Sequence, residues 1–85
     1  MKIVFMGSSE FAIPSLKALI ENKKEILAVY TQPPRPAGRG KKLKNVPLAE
    51  YALKKNITIH QPLNFKESNI VATLKKYEPD IIIVI

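Results

Sequence analysis

Arg35, Arg39, Lys41, Lys42 and Lys44 place five positive charges, and no negative one, in the stretch 31–44. Guanidinium and ammonium groups at this density bind phosphate oxygens. Release of condensed counterions then makes a polyanion the preferred partner. The flanks sharpen the contrast. Residues 1–30 carry four lysines against three glutamates, and residues 45–85 carry five lysines against four acids, so five of the net +7 charges lie in this stretch. The competing reading is a solvated charged loop that keeps the chain in solution. Charge does not say which nucleic acid is bound. The same stretch holds three of the seven prolines and two of the three glycines. Proline removes a backbone donor and glycine opens positive φ, so a long loop with no strand through Pro33-Pro34-Arg35-Pro36 is expected.

A second candidate is the turn Gly7-Ser8-Ser9-Glu10-Phe11, between an apolar run and a helical pattern. Free amides at such a turn favour anions. Ser8, Ser9 and Phe11 are the candidate substrate-binding residues, with helix capping an equally good and compatible role for the two serines. Glu10 is the one acid placed to meet a substrate. Two nucleotide motifs are rejected. The dinucleotide fingerprint needs three spaced glycines, and only Gly7 is present here. Gly38-Arg39-Gly40-Lys41 lacks the upstream glycine and the following Ser/Thr of a phosphate-binding loop. His60 is the sole histidine and there is no cysteine. No metal site is therefore expected, nor a partner for a catalytic dyad, and His60 reads as a polar residue at a strand end.

The elements that position these residues follow from periodicity. Ile3-Val4-Phe5-Met6, Ile26-Leu27-Ala28-Val29-Tyr30, Ile57-Thr58-Ile59-His60 and Ile81-Ile82-Ile83-Val84-Ile85 read as four strands. Their continuous apolarity predicts burial on both faces, as in a parallel sheet. Three helices alternate with them. The first has Pro14 in its first turn and Ala12, Leu16, Leu19 and Ile20 on one face. The second has Asn45 or a neighbour as cap, Pro47 near its start, and Leu48, Tyr51 and Ala52 buried. The third has Ser68 as cap and Ile70, Val71, Leu74 and Tyr77 at helical spacing. Strand-helix alternation predicts an α/β fold: a Rossmann-like parallel sheet with flanking helices, in strand order 3-2-1-4. The 85 residues allow at most one small domain. The chain stops on its most hydrophobic strand, so it is expected to be the amino-terminal part of a longer domain, truncated after the fourth strand. No uncharged stretch approaches the roughly 20 residues of a membrane helix. The absence of cysteine fits a reducing cytoplasm.

Thr31-Gln32-Pro33, followed by Arg35-Pro36-Ala37-Gly38-Arg39-Gly40-Lys41-Lys42-Leu43, closely resembles the hallmark loop of the methionyl-tRNA formyltransferases. Ile3-Val4-Phe5-Met6-Gly7-Ser8 with Glu10-Phe11-Ala12 is similar to that family's opening strand and turn, and Pro62 and Pro79-Asp80 fall in place. The resemblance covers essentially the whole chain, and residues 1–85 then form part of a catalytic domain. It implies transfer of a formyl group from 10-formyltetrahydrofolate to the methionyl amino group of initiator tRNA in translation initiation, without a metal. It also implies that the basic stretch meets the tRNA acceptor end, through Arg35, Arg39, Lys41, Lys42 and Lys44, with Arg39 foremost. The family's catalytic Asn, His and Asp belong to motifs that this chain does not contain, and His60 does not match them. The 85 residues alone are therefore expected to show no transfer, and to self-associate through the open last strand, whereas the full-length protein is expected to be monomeric. Pro34 departs from the acidic residue common in the family. Two alternatives stay open: a non-catalytic nucleic-acid-binding module, and a small-molecule formyltransferase domain.

Overall fold

β1 (Lys2–Met6) lies inside a four-stranded parallel sheet of order β5-β2-β1-β6, which is the expected order. The other strands of that sheet are β2 (Glu25–Tyr30), β5 (Ile59–His60) and β6 (Ile81–Val84). This computed structural model describes residues 1–37, 40, 42–62 and 68–85. Three helices connect the strands: α1 (Ile13–Glu21), α2 (Pro47–Lys54) and α3 (Ser68–Tyr77). The sheet is doubly covered because successive side chains on β1 point to opposite faces. Phe5 packs with Ala12, Leu16, Val29, Leu48 and Ala52 on one face. Val4 packs with Ala28, Tyr30 and Ile70 on the other. Continuous apolarity along β1 is what a strand buried on both faces requires.

The ends of the elements are set locally. Ser9 Oγ accepts the Phe11 amide at 3.1 Å and caps a short 3₁₀ turn, Glu10–Ala12, that leads into α1. α2 begins differently from expectation. Its N-cap is Val46, extended at φ −65° and ψ 154°, with no side-chain cap. Pro47 accounts for this, since it forces the preceding residue out of the helical region and has no N–H to be capped. Each helix is followed by a residue in the left-handed region: Lys23, Asn56 and Glu78, at φ 57°, 59° and 47°. β5 is only two residues long, shorter than the expected run from Ile57. α3 starts at Ser68, and the residues before it lie outside those described, so the expected Ser68 cap is not placed. β6 is fastened to β1 at its start: Asp80 Oδ2 accepts the Lys2 amide at 2.7 Å, and the Asp80 amide donates to the Lys2 carbonyl at 2.8 Å. The outer edge of β6 has no paired strand among the described residues, and Ile81, Ile82 and Val84 are exposed there.

The stretch 31–44 corrects the sequence expectation. It is not a long loop but carries an antiparallel ribbon of β3 (Arg35–Ala37) and β4 (Lys42–Lys44), in register Arg35–Lys44, Pro36–Leu43 and Ala37–Lys42. A two-stranded ribbon is all edge, and a proline is tolerated where its missing donor faces away from the partner strand. Gly40 has φ +81°, and a Cβ there would meet nothing within 4 Å, so the turn is open at that residue.

Candidate functional site

The carboxyl ends of β1, β2 and β6 open onto a cleft of about 550 Å³. Met6 and Gly7 close β1, Ser8 and Ser9 form the turn, Gln32 follows β2, and Val84 and Ile85 supply the opposite wall. This is the switch point between β1 and β6, where chain connections diverge and open α/β sheets bind ligands. Gly7 is what lets the walls meet. A Cβ at this position would come within 3.3 Å of both Ala12 Cβ and the Ile85 carbonyl, and 3.4 Å from Leu48 Cδ2. A glycine here serves close approach. A second hollow of about 350 Å³ shares Ser8, Ser9 and Gln32 and adds Val46 and Pro47. Those last two residues follow the ribbon after Asn45 alone, so the cleft and the root of the basic hairpin are contiguous.

The structure brings Ser8 and Ser9 together at both hollows, with Ser8 half-buried. Ser8 does not cap a helix: its Oγ accepts the Gln32 amide at 2.9 Å, across to the segment entering the hairpin. Phe11 belongs to neither wall and is 81% exposed, and Glu10 is also exposed. Lys42 and Lys44, two apart on β4, share one side of the ribbon, both exposed, and Leu43 faces the other way at 70% exposed. The register sets Arg35 opposite Lys44 along the backbone. Arg39 and Lys41 lie outside the described residues. Sequence reasoning missed Gln32 as a wall residue, because a lone amide carries no motif.

His60 closes β5, the strand end expected of it, and it packs among aromatic partners. Its Nε2 lies 2.6 Å from Tyr77 Oη in a hydrogen bond, and its ring stacks on Tyr30 with centroids 4.8 Å apart. The Tyr30 hydroxyl is buried with no hydrogen-bond partner among the described residues. Burial, and secondarily the neighbouring Tyr77, raise it above the usual 10.0. Because the fold disfavours the phenolate, the chain's stability does not depend on this group's ionisation below pH about 10 and falls as pH rises towards the folded value. Tyr30→Phe keeps the ring and removes the unpaired group. It is expected to stabilise the chain by about 1 kcal/mol at pH 7 and to flatten the loss above pH 10. Thermal unfolding of both proteins from pH 7 to 11 checks this, and a lower melting temperature for Tyr30→Phe at pH 7 contradicts it.

No described helix is long and apolar enough to cross a membrane, and no described group of three or more His, Asp or Glu could hold a metal ion. Set against known proteins, the family model described as "Formyl transferase" matches residues 1–85. Among curated relatives, the methionyl-tRNA formyltransferase of Clostridium perfringens is 56% identical over 86 residues, covering 100% of this chain and 28% of the relative. The one from Clostridium novyi is 54% identical over 86 residues with the same coverage. The one from Alkaliphilus metalliredigens is 45% identical over 85 residues, covering 100% of this chain and 27% of the relative. The chain thus spans a little over a quarter of the length of these relatives.

Proposed function

The chain belongs to the formyl transferase family, and we propose that in the whole protein it forms one wall of the active cleft and the tRNA contact of a methionyl-tRNA formyltransferase. The observation that carries this reading is contiguity. The ribbon with Lys42 and Lys44 springs from residues that also line the hollow at the end of β1. A cationic ribbon rooted at a small-molecule cleft suits a substrate that is a polyanion with a small reactive end, which is what an aminoacyl-tRNA is. The names of the relatives above agree with it.

The chemistry is acyl transfer. The methionyl amine attacks the formyl carbon of 10-formyltetrahydrofolate, the C–N bond to the folate breaks, and the amine proton passes to the departing nitrogen. The cleft's volume lies within the usual range for small-molecule sites. Apolar Met6, Val84 and Ile85 line it together with Ser8 and Ser9, a mixed lining that fits a flat heteroaromatic donor. Ser8 and Ser9 are assigned to substrate binding there. Phe11 is assigned to the same turn, where its exposed ring can meet a substrate's flank. No residue of this chain is assigned a catalytic role, so proton transfer and oxyanion stabilisation fall to other parts of the protein. Arg35, Arg39, Lys41, Lys42 and Lys44 are assigned to the phosphates of the acceptor end, and a cytoplasmic location follows from that partner.

The test is formyl transfer by the full-length protein with 10-formyltetrahydrofolate as donor. N-formylmethionyl-tRNA is expected, in a reaction steeply inhibited by salt, because each phosphate neutralised contributes about 0.7–0.9 to the slope of log K against log salt. Formylation of a free small-molecule amine in preference to the tRNA would reassign the chain to the small-molecule branch.

A further inference from the structure

A ribbon that presents charge to a large partner must be held in one pose relative to the cleft. β4 is exposed along its whole length, so its own packing does not hold it. The hold lies at its root. Gln61 directly follows β5, at a point fixed to the end of β2 because the His60 carbonyl accepts the Thr31 amide at 2.9 Å. From there Gln61 Nε2 donates to Asn45 Oδ1 at 2.9 Å and, at a longer 3.5 Å, to the Gln32 carbonyl. Asn45 is the residue after β4, and Gln32 lies on the segment leading into β3. One side-chain amide thus reaches both legs of the hairpin. The direction of the bonds is fixed by chemistry: a carbonyl only accepts, so the nitrogen of Gln61 faces Gln32, and Asn45 must present its oxygen. The Gln32 amide is in turn held by Ser8 Oγ, on the cleft wall.

We propose that Gln61 is the positioning residue that straps the root of the basic hairpin to the rim of the cleft, through Asn45 on one leg and Gln32 and Ser8 on the other. The inference rests on the reading that the hairpin contacts tRNA. The strap acts on pose rather than on global folding. Gln61 and Asn45 are half-buried, and water can replace their bond when it is lost. Removing the bond therefore leaves the sheet intact and lets the two legs move independently. Binding of tRNA must then restore the order that the strap supplied, which raises KM and spares the chemical step once tRNA is bound.

The test uses the full-length protein with Gln61→Ala, Asn45→Ala and both together. With Gln61→Ala, amide exchange at Lys42 and Lys44 in the free protein is expected to rise, and KM for methionyl-tRNA to rise about fivefold, the worth of one such hydrogen bond, with kcat within about twofold. Asn45→Ala is expected to match it, and the double variant to be no worse than either alone, because one bond is being removed in each case. Unchanged exchange, or additive effects in the double variant, overturns the strap. Faster exchange with unchanged KM overturns instead the assignment of the hairpin to tRNA, and the positioning role with it. A fall in kcat at saturating tRNA overturns the claim that the residue acts on pose.

Discussion

Arg39→Lys in the full-length protein is expected to lower kcat/KM for methionyl-tRNA by about 10- to 100-fold, whereas Lys44→Ala lowers it only a few-fold. The two positions differ in geometry more than in charge. Arg39 stands between Gly38 and Gly40 in the sequence. Gly40 adopts φ +81° with open space around it, so the backbone offers no side-chain bulk against an approaching partner. A planar guanidinium there can take a phosphate with two parallel bonds or stack on an end base, and an ammonium can do neither. Lys44 lies at the base of β4, where it acts as one point charge among several. Its loss removes about one phosphate contact, which lowers the salt slope by about 0.7–0.9. Steady-state kinetics at two or more salt concentrations, with circular dichroism to show an unchanged fold, separate the two effects. Equal and small changes from both substitutions would leave the ribbon as nothing more than charged surface.

Phe5→Ala is expected to remove most of the chain's stability. Phe5 is wholly buried at the middle of β1, paired with Val29 of β2 and Ile83 of β6, and packed on Leu16 of α1 and Leu48 of α2. Truncating a buried phenylalanine costs about 3–5 kcal/mol, part transfer free energy and part cavity. Domains as a class have only about 5–15 kcal/mol of stability, and a chain of this size falls towards the lower end. Leu43→Ala is the matched control, because Leu43 is 70% exposed and its loss leaves no cavity. Urea denaturation followed by circular dichroism reads both, and a Phe5→Ala midpoint equal to that of the unsubstituted chain would show that this face of β1 is not the core.

The parallel sheet was legible because its strands are apolar runs with no alternation and its helices bear one apolar face. Ile3, Val4 and Phe5 in sequence can only be satisfied by cover on both sides. The placement of the cleft followed from the same reading, since Gly7-Ser8 ends β1 where the chain order reverses. The hairpin was hidden. Three-residue strands have no periodicity to detect, and Pro36 and Gly40 are the residues that argue against a strand when only neighbours along the chain are considered. The interactions of His60 were hidden for another reason: Tyr30 and Tyr77 reach it from β2 and α3, and no linear spacing encodes such a meeting. Asn45 shows the same effect in reverse. It has the composition of a helix cap, but Pro47 leaves its side chain without that task, and it turns to Gln61 instead.

The order in which this sheet closes follows from the pairing of β1 with β6. The unit β1-α1-β2 is complete by Tyr30, and its contacts are local, so it forms early and fast. The other edge of β1 waits for Ile81–Val84, the fourth strand along the chain of those described in this sheet. At about 5–20 residues per second on the ribosome, that wait is roughly 3–10 s. Throughout it the Ile3–Met6 backbone stays open on one side, in a strand with no charged residue beyond Lys2 to discourage wrong pairing. The β6 side of β1 is therefore open for longer than its β2 side while the chain is being made.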